Sequence, residues 1–168
     1  MFEIGDYVVY GNAGVCKVSD ITKMNFAGLD KNKPYYVLDP VFQNGTIYSP
    51  TDNDSIMIRP IITKEDAVNL IDAIPSMDGD AYYNSSLQQL SQHYKDFLQS
   101  YDCEDLVEMT KSIYSKKREV EDRQRPLGQV DKRFMKQAED LLFGELAVAL
   151  GIEKEQVFDY IEARIGKM

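Results

Sequence analysis

The chain has 168 residues, 43% of them hydrophobic and 11% aromatic, which is too apolar for a disordered chain and long enough for one well-buried domain or two small ones. No stretch approaches the roughly 18 apolar residues of a membrane span, and no basic start followed by an apolar run marks a signal peptide, so no membrane association and a cytoplasmic location are expected. The net charge of −9 argues at first sight against a nucleic-acid partner, and two cysteines without C-x-x-C spacing support neither a zinc site nor a disulfide framework.

Residues 2–18 read as the start of a sheet. Gly5-Asp6 turns the chain into Tyr7-Val8-Val9-Tyr10, a β-branched and aromatic run, and Gly11-Asn12-Ala13-Gly14 is a turn cluster tolerant of positive φ. Val15 opens the return strand, whose pattern runs on to Met24, and residues 25–33 form a polar loop. Residues 35–42, 46–48 and 55–59 supply further strands, with Asn44-Gly45 between the first two as a hairpin signal. Five short strands joined by tight turns suit a small antiparallel barrel of the SH3 or Tudor kind over residues 1–62. Its edge strands would present unpaired backbone groups, a docking surface for a suitable partner.

After Pro60 the hydrophobic period shifts from two to about 3.6, which places a domain boundary near Ile62 and Thr63 and a compact five-helix domain over residues 63–168. Thr63 is an N-cap signal, followed by Ala67, Leu70, Ile71 and Ile74 on one face, with Pro75 as the stop. A polar loop over 75–85 leads to a second helix with the stripe Leu87, Leu90, Tyr94, Phe97 and Tyr101. Asp102 caps a third helix that turns Leu106, Met109, Ile113 and Val120 inward and frays into the charged segment 116–125 before Pro126. Gly128 opens a fourth, with Phe134, Ala138, Leu141, Leu142, Leu146 and Ala149 inward and Lys132, Arg133 and Lys136 outward; Gly151 closes it. A fifth runs over about residues 153–165.

The charge is unevenly spread. Residues 111–136 hold nine basic side chains, Lys111, Lys116, Lys117, Arg118, Arg123, Arg125, Lys132, Arg133 and Lys136, against four acidic ones, inside an otherwise strongly acidic half. Such a run is a nucleic-acid footprint or simply a solvated helix face. His93 is the only histidine and lies beside the second helix's apolar stripe, so any Cys-His or Ser-His-Asp set would have to pass through it; a solvent-side or cap-like role fits better. The carboxylates show no Glu-x-x-His or EF-hand spacing, and no phosphate-cradling glycine motif leads into a helix. No enzymatic activity and no cofactor are expected.

Several segments carry a resemblance to the CarD family of bacterial transcription regulators, whose first domain is shared with transcription-repair coupling factors. The family's VGDxVVYxxxG is similar to Ile4-Gly5-Asp6-Tyr7-Val8-Val9-Tyr10 with Gly14, and residues 34–40, PYYVLDP, and the strand Ile47-Tyr48-Ser49-Pro50 fall where the family completes its barrel. SxxYKxxL looks like Ser91 through Tyr94, Lys95 and Leu98, and LSxxDKRxxxxAxxLLxxELAxALG resembles residues 127–151 nearly throughout. The resemblance implies a monomeric protein that binds the β subunit of bacterial RNA polymerase through the barrel, at Met24, Asn25, Phe26 and Tyr48. It further implies stabilisation of the opened promoter through the helical domain, at Leu90, Lys95, Lys117, Arg118, Lys132, Arg133 and Lys136, with weak DNA affinity of its own.

The chain departs from the family in having no tryptophan just before SxxYK; Leu90 takes that place, as a wedge between base steps or as a core residue of the stripe. Gln92 and His93 stand where the family often has two arginines, and Met24 and Tyr48 where it places arginines for the polymerase. Two other readings stay open: an adaptor whose acidic helical domain contacts another protein instead of DNA, and a metal-dependent enzyme hidden among the carboxylates.

Overall fold

Antiparallel pairing begins with β1 (Tyr7–Tyr10) and β2 (Val15–Lys23), whose register sets Val8 against Cys16 and Val9 against Val15. Gly14, at φ 71°, makes the turn between them possible, since a Cβ would strain that backbone. The structure, a computed structural model, describes residues 1–23, 25 and 28–168. Its packing falls into two units, Met1–Ile62 and Thr63–Met168.

In the first unit β3 (Pro34–Pro40) pairs with β2, β4 (Ile47–Pro50) with β3, and β5 (Ile58–Pro60) with β1, all antiparallel, in the order β4-β3-β2-β1-β5. A bulge at Ser19, whose hydroxyl donates to the Val37 carbonyl at 3.1 Å, bends β2. One face of the sheet buries Val8, Tyr10, Cys16, Val18, Tyr36 and Leu38, with Phe2, Ile21, Ile47 and Ile58 packed around them.

The barrel expected from the sequence is not closed. β4 and β5 are the two ends of the ladder, four and three residues long. The chain between them spends its polar groups on local turns: Asn53 N–H donates to the Pro50 carbonyl, Ser55 N–H to Asn53 Oδ1, and Asn53 Nδ2 to the Ile56 carbonyl. The Asn44-Gly45 signal marks a real hairpin, but β3 stops at Pro40 and the connection is a longer loop in which Val41 and Phe42 are exposed.

In the second unit the first three helices start where a side chain relieves unpaired N–H groups. Thr63 accepts from Asp66 N–H to begin α1 (Lys64–Ala73), Ser86 from Gln89 N–H to begin α2 (Leu87–Gln99), and Asp102 from Glu104 N–H to begin α3 (Cys103–Asp122). α4 (Gln129–Leu150) ends in a Schellman motif: Gly151, at φ 72°, donates to the Val148 carbonyl and Ile152 to that of Ala147. α5 (Val157–Ile165) follows a 3₁₀ turn opened by a Glu153–Gln156 capping box.

The helical core is built from Ile71, Tyr94, Met109, Ile113, Leu142, Leu146 and Ile161. The stripe of α2 differs from the one read in the sequence. Leu87, the first residue of the helix, is 64% exposed, and Tyr101 lies past its end at φ 52°, so the buried line is Leu90, Tyr94 and Leu98. α3 and α4 run antiparallel, because Cys103 meets Glu145 and Lys116 meets Asp131. Among the described residues no helix is long and apolar enough to cross a membrane.

Candidate functional site

Three polar side chains meet inside the helical unit where apolar ones would be expected. Asp131, in the first turn of α4, accepts from Tyr94 Oη at 2.6 Å and from Lys116 Nζ at 3.0 Å on the same oxygen. Both charged residues are nearly inaccessible, Lys116 at 6% and Asp131 at 4% exposure. Burial first, and the Asp131 carboxylate second, push the Tyr94 phenol far above its ordinary range, so it stays a donor. The Lys116 ammonium also sits 4.9 Å from the Tyr83 ring centre, and Tyr83 donates to Glu119. The helix N-terminus adds a favourable field for the carboxylate.

This node changes the accounting of the basic window. Lys116 is consumed by Asp131, and Lys111 is turned inward, its Nζ donating to the carbonyls of Ile74 at 2.6 Å and Met77 at 2.7 Å. Lys117, Arg118, Lys132, Arg133 and Lys136 are exposed. The antiparallel pairing brings the C-terminal half of α3 and the first turns of α4 to one end of the helix pair. Arg118 donates to the Met168 carbonyl at 3.1 Å, and Lys136 pairs with Asp140 at 3.5 Å. Glu139 feels both Lys117 and Lys136, although burial dominates and raises its carboxyl. Lys117 and Lys132 are exposed without a described ion pair, and the Arg133 guanidinium lies 5.0 Å from the Phe134 ring centre. Lys95 is exposed on α2.

Leu90 is 3% exposed, in the buried line of α2 with Tyr94 and Leu98. A side chain so placed reaches no base step without leaving the core, and the wedge is not presented in this conformation. His93 is half-buried, within a ring cluster. Its ring stacks on Tyr82 at 3.7 Å and 12°, with Phe97 edge-on at 5.3 Å. Burial lowers its pKa, Asp96 opposes that, and Lys116 adds to it.

In the first unit, among the described residues β4 is flanked by another strand on one side only, and its Tyr48, opposite Val37, is 38% exposed. Asn25 is exposed, whereas Met24 and Phe26 lie outside the described residues.

The inward lysine and its partners were readable in part. Asp131 lies three and seven residues before Phe134 and Ala138, and Lys116 three and seven after Ile113 and Met109, so each falls on an inner face by helical period. Only the packing shows that the two meet.

Comparison of the whole chain with curated proteins finds no match. At the level of domain families, residues 2–62, the open five-stranded sheet with its flanking turns, match the family model of the CarD-like/TRCF RID domain.

Proposed function

We propose that this protein is a non-enzymatic transcription regulator that docks on the β subunit of RNA polymerase through its N-terminal sheet and steadies the opened promoter through its helical unit. RID domains interact with that subunit, and the match over residues 2–62 is the observation that carries the reading. The edge position of β4 among the described residues suits it, since an edge strand can add to a sheet of the partner, with Tyr48 as an apolar contact beside it. Lys132 and Arg133, with Lys117 and Arg118 nearby in the antiparallel pair, supply phosphate contacts that position without reading sequence. No covalent chemistry is needed, because tighter binding to the open complex than to the closed one shifts the equilibrium by the difference.

The adaptor alternative is favoured by one set of observations: Leu90 is core, Lys111 and Lys116 are internal, and the rest of the unit is acidic. Two variants of the full chain separate the readings. Tyr48→Glu should weaken capture of RNA polymerase in either case. Lys132→Ala with Arg133→Ala should leave capture intact and reduce promoter opening only if the helical unit meets DNA; unchanged opening replaces the regulator reading with the adaptor.

A further inference from the structure

The loop between α1 and α2 is fastened to α3, not draped over it. Ser112 Oγ donates to the Asp80 carbonyl at 2.7 Å, Lys111 holds the carbonyls of Ile74 and Met77, and Gly79 approaches so closely that a Cβ there would lie 2.8 Å from Lys111 Cβ. Fixed in this way, the loop forms one wall of a groove.

The groove's first hollow, about 360 Å³, runs between that loop and helices α2 and α3; the second, about 270 Å³, adjoins it and shares His93 and Phe97. Its floor is the Tyr82–His93 stack with Phe97 against it. Around this floor stand Asp78, Asp80 and Glu108 in the first hollow and Asp96 and Asp105 in the second, and no lysine or arginine lines either one. Asp96 accepts only a neutral hydrogen bond from Gln92 among the contacts described. Burial first, and then the repulsion of Asp105, Asp78 and Glu104, raise the Glu108 carboxyl.

An occupant of this groove must be cationic and must gain from a flat aromatic surface. A phosphate backbone or an anionic lipid surface has the wrong sign. Among the described residues no group of three His, Cys, Asp or Glu side chains is placed to hold a metal ion, so a bare cation lacks its ligands. A guanidinium satisfies both demands: its planar face stacks on rings while its N–H fork meets carboxylates in pairs, and it sheds water more readily than an ammonium.

We propose that the Tyr82–His93–Phe97 groove binds an arginine-bearing segment of a protein partner, held by the carboxylates of Asp78, Asp80, Asp96, Asp105 and Glu108. The surface is separate from the basic end of α3 and α4, and the inference does not depend on promoter contact. It gives the helical unit two faces of opposite preference, one for phosphate and one for a basic chain.

The test uses the ¹⁵N-labelled full chain, an acetylated and amidated Gly-Arg-Gly-Ser-Arg-Gly peptide, and its lysine counterpart, in physiological salt. Amide shifts should concentrate at Tyr82, His93, Phe97 and Glu108, with the arginine peptide the tighter binder. Asp105→Asn with Glu108→Gln should weaken binding by about tenfold, while Glu155→Gln with Asp159→Asn, which removes the same charge near and in α5, should change it less than about twofold. Tyr82→Leu should abolish the preference for arginine over lysine. Equal losses in the two charge-matched variants, shifts spread over the acidic surface, or a preference that survives Tyr82→Leu would each overturn the proposal.

Discussion

Tyr94 donates its phenolic hydrogen to Asp131 at 2.6 Å, across the interior of the helical unit and 37 residues along the chain. The bond ties α2 to the first turn of α4, while Lys116 ties α3 to the same carboxylate oxygen. Removing one partner of a buried pair strands the other, which costs about 3–5 kcal/mol. Asp131→Ala is expected to lose stability on that scale, and Tyr94→Phe less, about 1.5–3 kcal/mol, because Lys116 still neutralises the carboxylate. Urea unfolding of each variant checks the order. In a double-mutant cycle, Lys116→Met combined with Asp131→Leu should cost clearly less than the two single changes added together.

Leu90 and Leu87 are one turn apart on α2 and differ in kind. Leu90→Ala should cost about 2–5 kcal/mol, as for a buried leucine that leaves a cavity; Leu87→Ala, at the exposed helix start, should stay within about 0.5 kcal/mol. A Leu90→Ala protein of unchanged stability and lost promoter activity would instead show that this side chain leaves the core to act.

Burial holds the folded-state pKa of His93 below its unfolded value near 6.5, with Asp96 pulling the other way and Lys116 pushing down. The unfolded chain therefore binds more protons between the two pKa values, and this residue's contribution is complete above about pH 6.5 and declines as pH falls through the lowered folded value. Comparing wild type with His93→Phe between pH 7.5 and 5.5 isolates the histidine: the wild type should lose stability relative to the variant on acidification. Parallel curves would show that the stacked ring accepts its proton freely.

Cys16 lies in the sheet core, and burial together with Asp39 pushes its thiol up to about 11. Cys103 is buried too, its Sγ donating to Glu145 Oε1 at 3.0 Å. Neither thiol should react with iodoacetamide at pH 8 on the time scale of a free thiol, and both should react in denaturant. Rapid labelling of either in the native protein would mean that its element opens readily.

Each phosphate met on duplex DNA contributes about −0.9 to the slope of log K against log salt. Lys132→Ala with Arg133→Ala should thus make the slope shallower by about 1.8, if each side chain meets one phosphate. Lys136→Ala should do less, since Asp140 already holds it. Measurement on the free protein is expected to show weak binding throughout, because the net charge of −9 repels DNA, and tethering to polymerase would raise the effective concentration. A slope indifferent to both variants would leave the basic end as solvated surface.

What the sequence by itself determined were the features that depend on neighbours a few residues away. Thr63 and Asp102 cap helices, Gly151 ends one, and the β-branched and aromatic runs around Val8 and Tyr36 form strands, because capping geometry, positive φ and side-chain alternation are local properties. Spacing put Leu90 on an apolar stripe with Leu87, but packing buried the one and left the other exposed. Tertiary structure decided the rest. The sheet stays open because the connection from β4 to β5 closes local turns instead of a ladder. Lys116 leaves the basic face because a carboxylate 15 residues away waits inside, and His93 joins a stack because Lys111 and Ser112 pin a distant loop beside it. A charge or a ring carries no mark in the sequence of which partner will reach it; long-range packing makes that choice, and with it decides which residues remain for a partner to touch.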